Sequence, residues 1–154
     1  MLKKEIKNDL IKALKKGDRT ECSTLRMLLA GILNKEKEKK YKEKLKEDVE
    51  LTAEEVIEVV SSEAKKRKEA ILEYEKGGRK DLSNKEKAEL EILQKYLPEQ
   101  LSEQELKKIV KEAIEKVEAK EIKDIGKIMA ELMPQVKGRA DGSQVSRIVK
   151  ELLI

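Results

Sequence analysis

Residues 101–117 read LSEQELKKIVKEAIEKV, and their order decides the fold class. Leu106, Ile109, Val110, Ala113, Ile114 and Val117 recur at i, i+3, i+4, i+7, i+8 and i+11, one unbroken apolar stripe of an α-helix. Ser102 and Glu105 stand three apart ahead of the stripe as a capping box, and Leu101 and Leu106 flank them at the spacing of a hydrophobic staple. A strand would alternate every second residue, and nothing here does.

The same grammar holds in both directions. Upstream, Leu2, Ile6, Leu10 and Leu14 stripe a first helix that Gly17 ends. Asp18 with Glu21 resembles a capping box for a second helix, whose apolar face holds Cys22, Leu25, Leu28, Leu29, Ile32 and Leu33. It fades into residues 35–50, a nearly all-charged run that reads as a frayed extension or a mobile connector. Thr52 with Glu55 opens a long third helix with Val56, Val60, Ala64, Ile71 and Tyr74 inward, stopped by Gly77 and Gly78. Ser83 with Glu86 is expected to cap a fourth, striped by Leu90, Leu93 and Leu97 and ended by Pro98. Downstream, Asp124 starts a sixth helix with Ile125, Ile128, Met129 and Leu132, which Pro134 should bend or end. Residues 138–142 (GRADG) form a turn, and Asp141 with Gln144 caps a last helix carrying Val145, Ile148, Val149 and Leu152. The expected fold is all-α: a helical N-terminal part of about four helices over residues 1–97, and a small three-helix C-terminal domain over residues 98–154.

Composition agrees and narrows the chemistry. The 154 residues are 44% charged and 38% hydrophobic, with no Phe or Trp and only Tyr41, Tyr74 and Tyr96. The core must be aliphatic, which suits helix-on-helix packing. No His is present, which removes the commonest general base and zinc ligand. Cys22 stands alone on an apolar face and reads as a buried structural thiol, so neither a disulfide framework nor a nucleophile is expected. Glu is so abundant that no carboxylate pair stands out; no catalytic residue, metal site or cofactor is expected. No stretch approaches a membrane span and the N-terminus (MLKKEIKNDL) has no signal-peptide core, so a cytoplasmic location is expected. The three tyrosines lie near helix ends and read as amphipathic side chains.

Basic ends surround an acidic middle, and the net charge is +4. Two basic clusters invite a reading. Residues 65–68 (KKRK) wrap a helix, so a solvated surface is expected there. Residues 136–150 (VKGRADGSQVSRIVK) are more specific. Lys137 and Arg139 flank a glycine turn that leads into a helix N-terminus, where free backbone N–H groups favour anions. Arg147 and Lys150 follow three apart on that helix. The segment has neither the order of a phosphate loop nor a preceding strand, so a nucleotide site is rejected. A tight connection between two packed helices is the purely structural alternative.

The same residues carry a resemblance. The run IGKIMAELMPQVKGRADGSQVSRIVKELL (residues 125–153) resembles the C-terminal signature of the GatB/YqeY family. It is similar to the tail of the B subunit of the tRNA-dependent amidotransferase that converts Glu-tRNA(Gln) or Asp-tRNA(Asn) to the amide. STLRMLLAGILNKE (23–36), EEVIEVVSSEAKKRKEAILEYEKGGRKDL (54–82) and KAELEILQKYLPEQLSEQEL (87–106) resemble the stand-alone YqeY-like proteins. The likeness is weakest over residues 39–51. It implies an amidotransferase-tail-like C-terminal domain, and a role in holding tRNA away from the acceptor end. It does not imply chemistry, because the chain lacks the B subunit's ATP and magnesium cradle and the A subunit's Ser-Ser-Lys amidase. Kinship to carbon–nitrogen ligases with glutamine as donor would describe descent, and the chain alone is expected neither to hydrolyse glutamine nor to amidate tRNA.

Two functions compete at this stage. One is a tRNA-binding accessory module in which Lys137, Gly138, Arg139, Gly142, Ser143, Gln144, Arg147 and Lys150 make the contacts. The other is a module that docks on an amidotransferase subunit or an aminoacyl-tRNA synthetase without touching RNA. Neither DNA nor a membrane is an expected partner.

Overall fold

Capping residues place the helices. In the computed structural model, which describes residues 1–153, seven α-helices and no strand occur among the described residues, the all-α class expected. The chain divides into two compact units, Met1–Leu97 and a second beginning at Pro98.

In the first unit, α1 (Leu2–Lys16) stops at Gly17, whose φ of 71° few other residues accept. The Asp18 carboxylate accepts from the Glu21 amide at 3.0 Å and starts α2 (Arg19–Lys42). The charged run 35–50 is therefore helical through Lys42. That extension is held on both sides: Glu36 is buried against Lys3 at 2.7 Å, and Lys39 reaches Glu55 at 2.9 Å. The helix then closes without glycine, with Lys44 at φ 52°. Thr52 and Glu55 complete a reciprocal capping box for α3 (Ala53–Lys76). The Thr52 amide and then the Lys39 ammonium hold the Glu55 carboxyl below its usual range.

A turn at Gly78 (φ 69°) passes directly into α4 (Lys80–Gln94). The expected cap at Ser83 is thus corrected. The helix begins three residues earlier, and Ser83 lies inside its first turn, buried, with its hydroxyl donating to Glu75 at 3.4 Å. The left-handed glycine already reverses the chain, so no further loop is needed before the helix. The core of this unit is Ile6, Leu25, Leu28, Ile32, Leu51, Val56, Val60, Ala64, Leu93 and Tyr96. Tyr96 buries its ring and donates its hydroxyl to Asp9 at 2.6 Å; burial first, and then that bond, push the phenol above its ordinary range.

Two further expectations need correcting here. The basic run 65–68 is not wholly solvated, since Arg67 is only 5% exposed and forks between the carboxylates of Glu63 and Glu89. Leu14 and Leu33, assigned to apolar stripes, are about half exposed.

In the second unit, Ser102 and Glu105 form their capping box at the start of α5 (Glu103–Lys116), with Leu101 and Leu106 both in the core beneath it. A single 3-10 turn (Ile122–Asp124) precedes α6 (Ile125–Val136). The Asp124 carboxylate accepts the amides of Lys120 and Glu121, which hold it below its usual range. Pro134 does not end α6. The helix runs two residues past it to Val136, which is buried in the core. The last helix, α7, is Gly142–Leu153. The core is entirely aliphatic: Leu106, Val110 and Ala113 from α5, Ile128, Leu132 and Val136 from α6, and Val145, Ile148 and Val149 from α7.

Between α2 and α3, residues 43–50 carry no helix and are exposed except for half-buried Val49. Limited proteolysis of the native chain is expected to cut there first. First cleavage inside α2 or α3 would contradict the helical boundaries given above.

Candidate nucleic-acid interface

The basic turn of the second unit begins where α6 buries Val136. Gly138 takes φ 76°, and the amides of Arg139 and Ala140 both return to the Val136 carbonyl, at 2.8 and 3.0 Å. A left-handed residue is needed at this point, which explains glycine. Three residues from the start of the unit clamp the turn. The Gln100 side-chain amide donates to the carbonyls of Gly138 and Pro98, both at 2.8 Å. The Leu101 amide donates to the Arg139 carbonyl at 2.9 Å, and the Arg139 guanidinium reaches the carbonyls of Glu99 and Gln135 at 3.4 Å. Glu99, Gln100 and Leu101 carried no sequence signal for this role, because they act 38 to 40 residues from their partners.

The structure sorts the eight expected contact residues. Lys137, Gly142, Ser143, Arg147 and Lys150 are exposed, whereas Gly138, Arg139 and Gln144 are half-buried. Ser143, Arg147 and Lys150 share one side of α7 by spacing, opposite buried Val145, Ile148 and Val149. Arg139 is committed to carbonyls of its own fold. The Ser143 amide is taken by the Asp141 carboxylate at 3.1 Å, so the helix start already holds a negative group where a phosphate was expected. Arg147 pairs with Glu151 at 2.9 Å and Glu103 at 3.3 Å, and these carboxylates raise its already high affinity for its proton. Both pairs are solvent-exposed, so each contributes little and exchanges readily.

Gly142, like Gly126 inside α6, has no positive φ and open space around it, but of the two it alone stands at the basic turn. It opens α7 without a positive φ, and a Cβ built there meets nothing within 4 Å. Neither the backbone nor the packing of this fold asks for glycine at that position. The arrangement offers an open backbone edge beside the exposed cations of Lys137, Arg147 and Lys150.

Elsewhere, Cys22 is a buried free thiol, as its position on the α2 stripe predicts. No cluster of three or more metal-ligating side chains occurs among the described residues, and no helix there is long and apolar enough to cross a membrane.

A family model described as Yqey-like protein matches residues 3–153 of this chain. Among curated relatives, a protein of Pyrenophora tritici-repentis named altered inheritance of mitochondria protein 41, mitochondrial, is 29% identical over 149 residues, 94% of this chain and 77% of that protein. An uncharacterized protein of Schizosaccharomyces pombe is 32% identical over 97 residues, 63% of this chain and 72% of its own length. A protein of Eremothecium gossypii, again named altered inheritance of mitochondria protein 41, is 35% identical over 92 residues, 60% of this chain and 46% of that one.

Proposed function

The chain belongs to the Yqey-like protein family, and on that premise we propose that it is a tRNA-binding accessory module without catalysis of its own. The observation that carries the reading is Gly142. A glycine that neither turn geometry nor packing demands, at a helix start beside exposed Lys137 and Lys150, suits a backbone approached closely by a phosphate. The resemblance of residues 125–153 to the tRNA-holding tail of the amidotransferase gives the ligand class. Arg147 joins by exchanging its carboxylates for phosphates. Arg139 and Gly138 shape the turn, and Ser143 and Gln144 follow Gly142 on the helix. The proposal includes work in the cytoplasm beside an amidotransferase or a synthetase.

The test is binding of total tRNA across a salt series. Gly142→Ala is expected to hold or raise the thermal midpoint, since alanine suits a helix better, while weakening binding. Lys137→Gln with Lys150→Gln should flatten the log–log salt dependence by about 1.4–1.8, two phosphate contacts' worth. Arg139 is left intact because it holds the turn together. Equal weakening by Lys4→Gln with Lys7→Gln would show diffuse attraction and sink the named site. Absence of any tRNA binding at low salt would favour the second reading, docking on a protein without RNA. That alternative draws support from the engagement of Arg139 and Arg147 within the fold.

A further inference from the structure

The first unit has a face that the tRNA reading does not use. On α1, Lys4, Lys7, Ile11 and Leu14 fall at i, i+3, i+7 and i+10, and all four are exposed. On α2, Arg26, Ala30, Leu33 and Lys37 fall at i, i+4, i+7 and i+11, and all four are exposed. The Gly17 turn makes the helices antiparallel, and the Lys3–Glu36 pair at 2.7 Å sets their register. Lys7 then stands level with Leu33, and Leu14 with Arg26. The buried residues of α1 are Ile6 and Ala13, and those of α2 include Leu25, Leu28 and Ile32. Helical geometry therefore turns both exposed stripes to the same side of the pair, away from that core.

The composition of this face is unusual for a chain rich in Glu. Ile11, Leu14 and Leu33 are 51%, 49% and 48% exposed, three branched aliphatic side chains spread along the same side of the helix pair. Around them stand Lys4, Lys7, Arg26 and Lys37. Among the described residues no carboxylate or carbonyl takes any of these four side chains. The carboxylates of these helices lie elsewhere. Glu5 and Asp9 share the other side of α1, with Asp9 bound to Tyr96, and Glu36 is buried against Lys3. An apolar strip in a rim of unpaired cations is a complementary mould for one shape, an apolar stripe flanked by carboxylates.

We propose that the outer face of α1 and α2 docks an acidic amphipathic helix of a partner protein. The partner's aliphatic stripe lies over Ile11, Leu14 and Leu33, and its flanking Glu or Asp residues meet Lys4, Lys7, Arg26 and Lys37. RNA fits less well. A phosphate backbone has no use for three aliphatic side chains, and none of the eight residues of the stripes is aromatic for base stacking. The face lies in a different unit from the Gly142 edge, so the proposal stands or falls apart from the tRNA reading.

A fluorescent synthetic peptide tests it, with a leucine stripe flanked by glutamates and a scrambled control of equal composition. The full chain should bind the helical peptide, with affinity falling as salt rises. Leu14→Ser with Leu33→Ser should weaken binding at least tenfold and leave the thermal midpoint within a few degrees, as both side chains are half exposed. Lys7→Gln with Arg26→Gln should flatten the salt dependence. The proposal is overturned if the scrambled peptide binds as well, or if the serine variant binds unchanged. It is also overturned if the serine changes impair binding of total tRNA, or of phosphatidylserine vesicles, while peptide binding persists. Loss of tRNA binding through Lys137 and Lys150 alone would leave it untouched.

Discussion

Replacing Arg67 with alanine is expected to destabilise the Met1–Leu97 unit by about 3–5 kcal/mol, the usual result of removing one partner from a buried charge cluster. Arg67 sits on α3 with its guanidinium 5% exposed as a residue, bonded to Glu63 one turn back and to Glu89 on α4, while the Met27 sulfur on α2 takes a third edge at 3.7 Å. One cation therefore links three helices. Without it, buried Glu89 loses its cation and Glu63 keeps only the exposed Lys66 ammonium at 3.1 Å, so a nearly dry carboxylate on α4 faces a second one on α3. Arg67→Lys should recover only part of the loss, because an ammonium cannot fork to two carboxylates and a sulfur at once. Arg67→Met together with Glu89→Leu should recover more than the lysine, since it removes a charge from each side and fills the space with apolar atoms. Denaturant unfolding followed by circular dichroism measures all three. If Arg67→Ala costs under about 1 kcal/mol, the cluster behaves as an ordinary surface pair.

Arg67 also marks where reading from sequence stops. In the run KKRK, nothing local separates the third residue from its neighbours, and its burial follows from Glu89, 22 residues away. Features settled within one or two turns were legible: the boxes at Thr52 and Ser102, the glycine stop at Gly17, the stripe of α5 and the buried Cys22. Ser83 misled because Ser followed by Glu three residues later is common in so polar a chain, whereas the helix start was already fixed by Gly78. Leu14 and Leu33 were counted as core because periodicity records that a side chain is apolar, not whether another helix covers it. At the basic turn the sequence located the cations and both glycines. It did not disclose that Arg139 is occupied by carbonyls of Glu99 and Gln135, or that Asp141 takes the Ser143 amide. The first depends on partners up to 40 residues apart, and the second on the path the backbone takes as the turn enters the helix.

Leu132→Ala is expected to unfold the second unit while leaving the first folded. Leu132 is fully buried on α6 among Leu106, Val110, Ile128, Val145 and Ile148, with no aromatic side chain able to swing into the space. Truncating a buried leucine costs about 2–5 kcal/mol, the upper end applying where the surroundings cannot collapse. The three helices here are tied at one end by the Gln100 and Leu101 bonds to the turn, which resists such collapse. A unit of this size has a total stability of only about 3–8 kcal/mol, so the loss is comparable with the whole. Amide hydrogen exchange separates the outcomes. Protection should vanish across α5, α6 and α7 and persist across the buried residues of α1 to α4, and the proposed tRNA binding should disappear with the fold that presents Lys137 and Gly142. Leu132→Met, which keeps the volume, should cost less than about 1.5 kcal/mol and preserve both. Loss of protection in α2 and α3 as well would mean that the two units fold as one cooperative body, and that the division at Pro98 is one of contacts and not of stability.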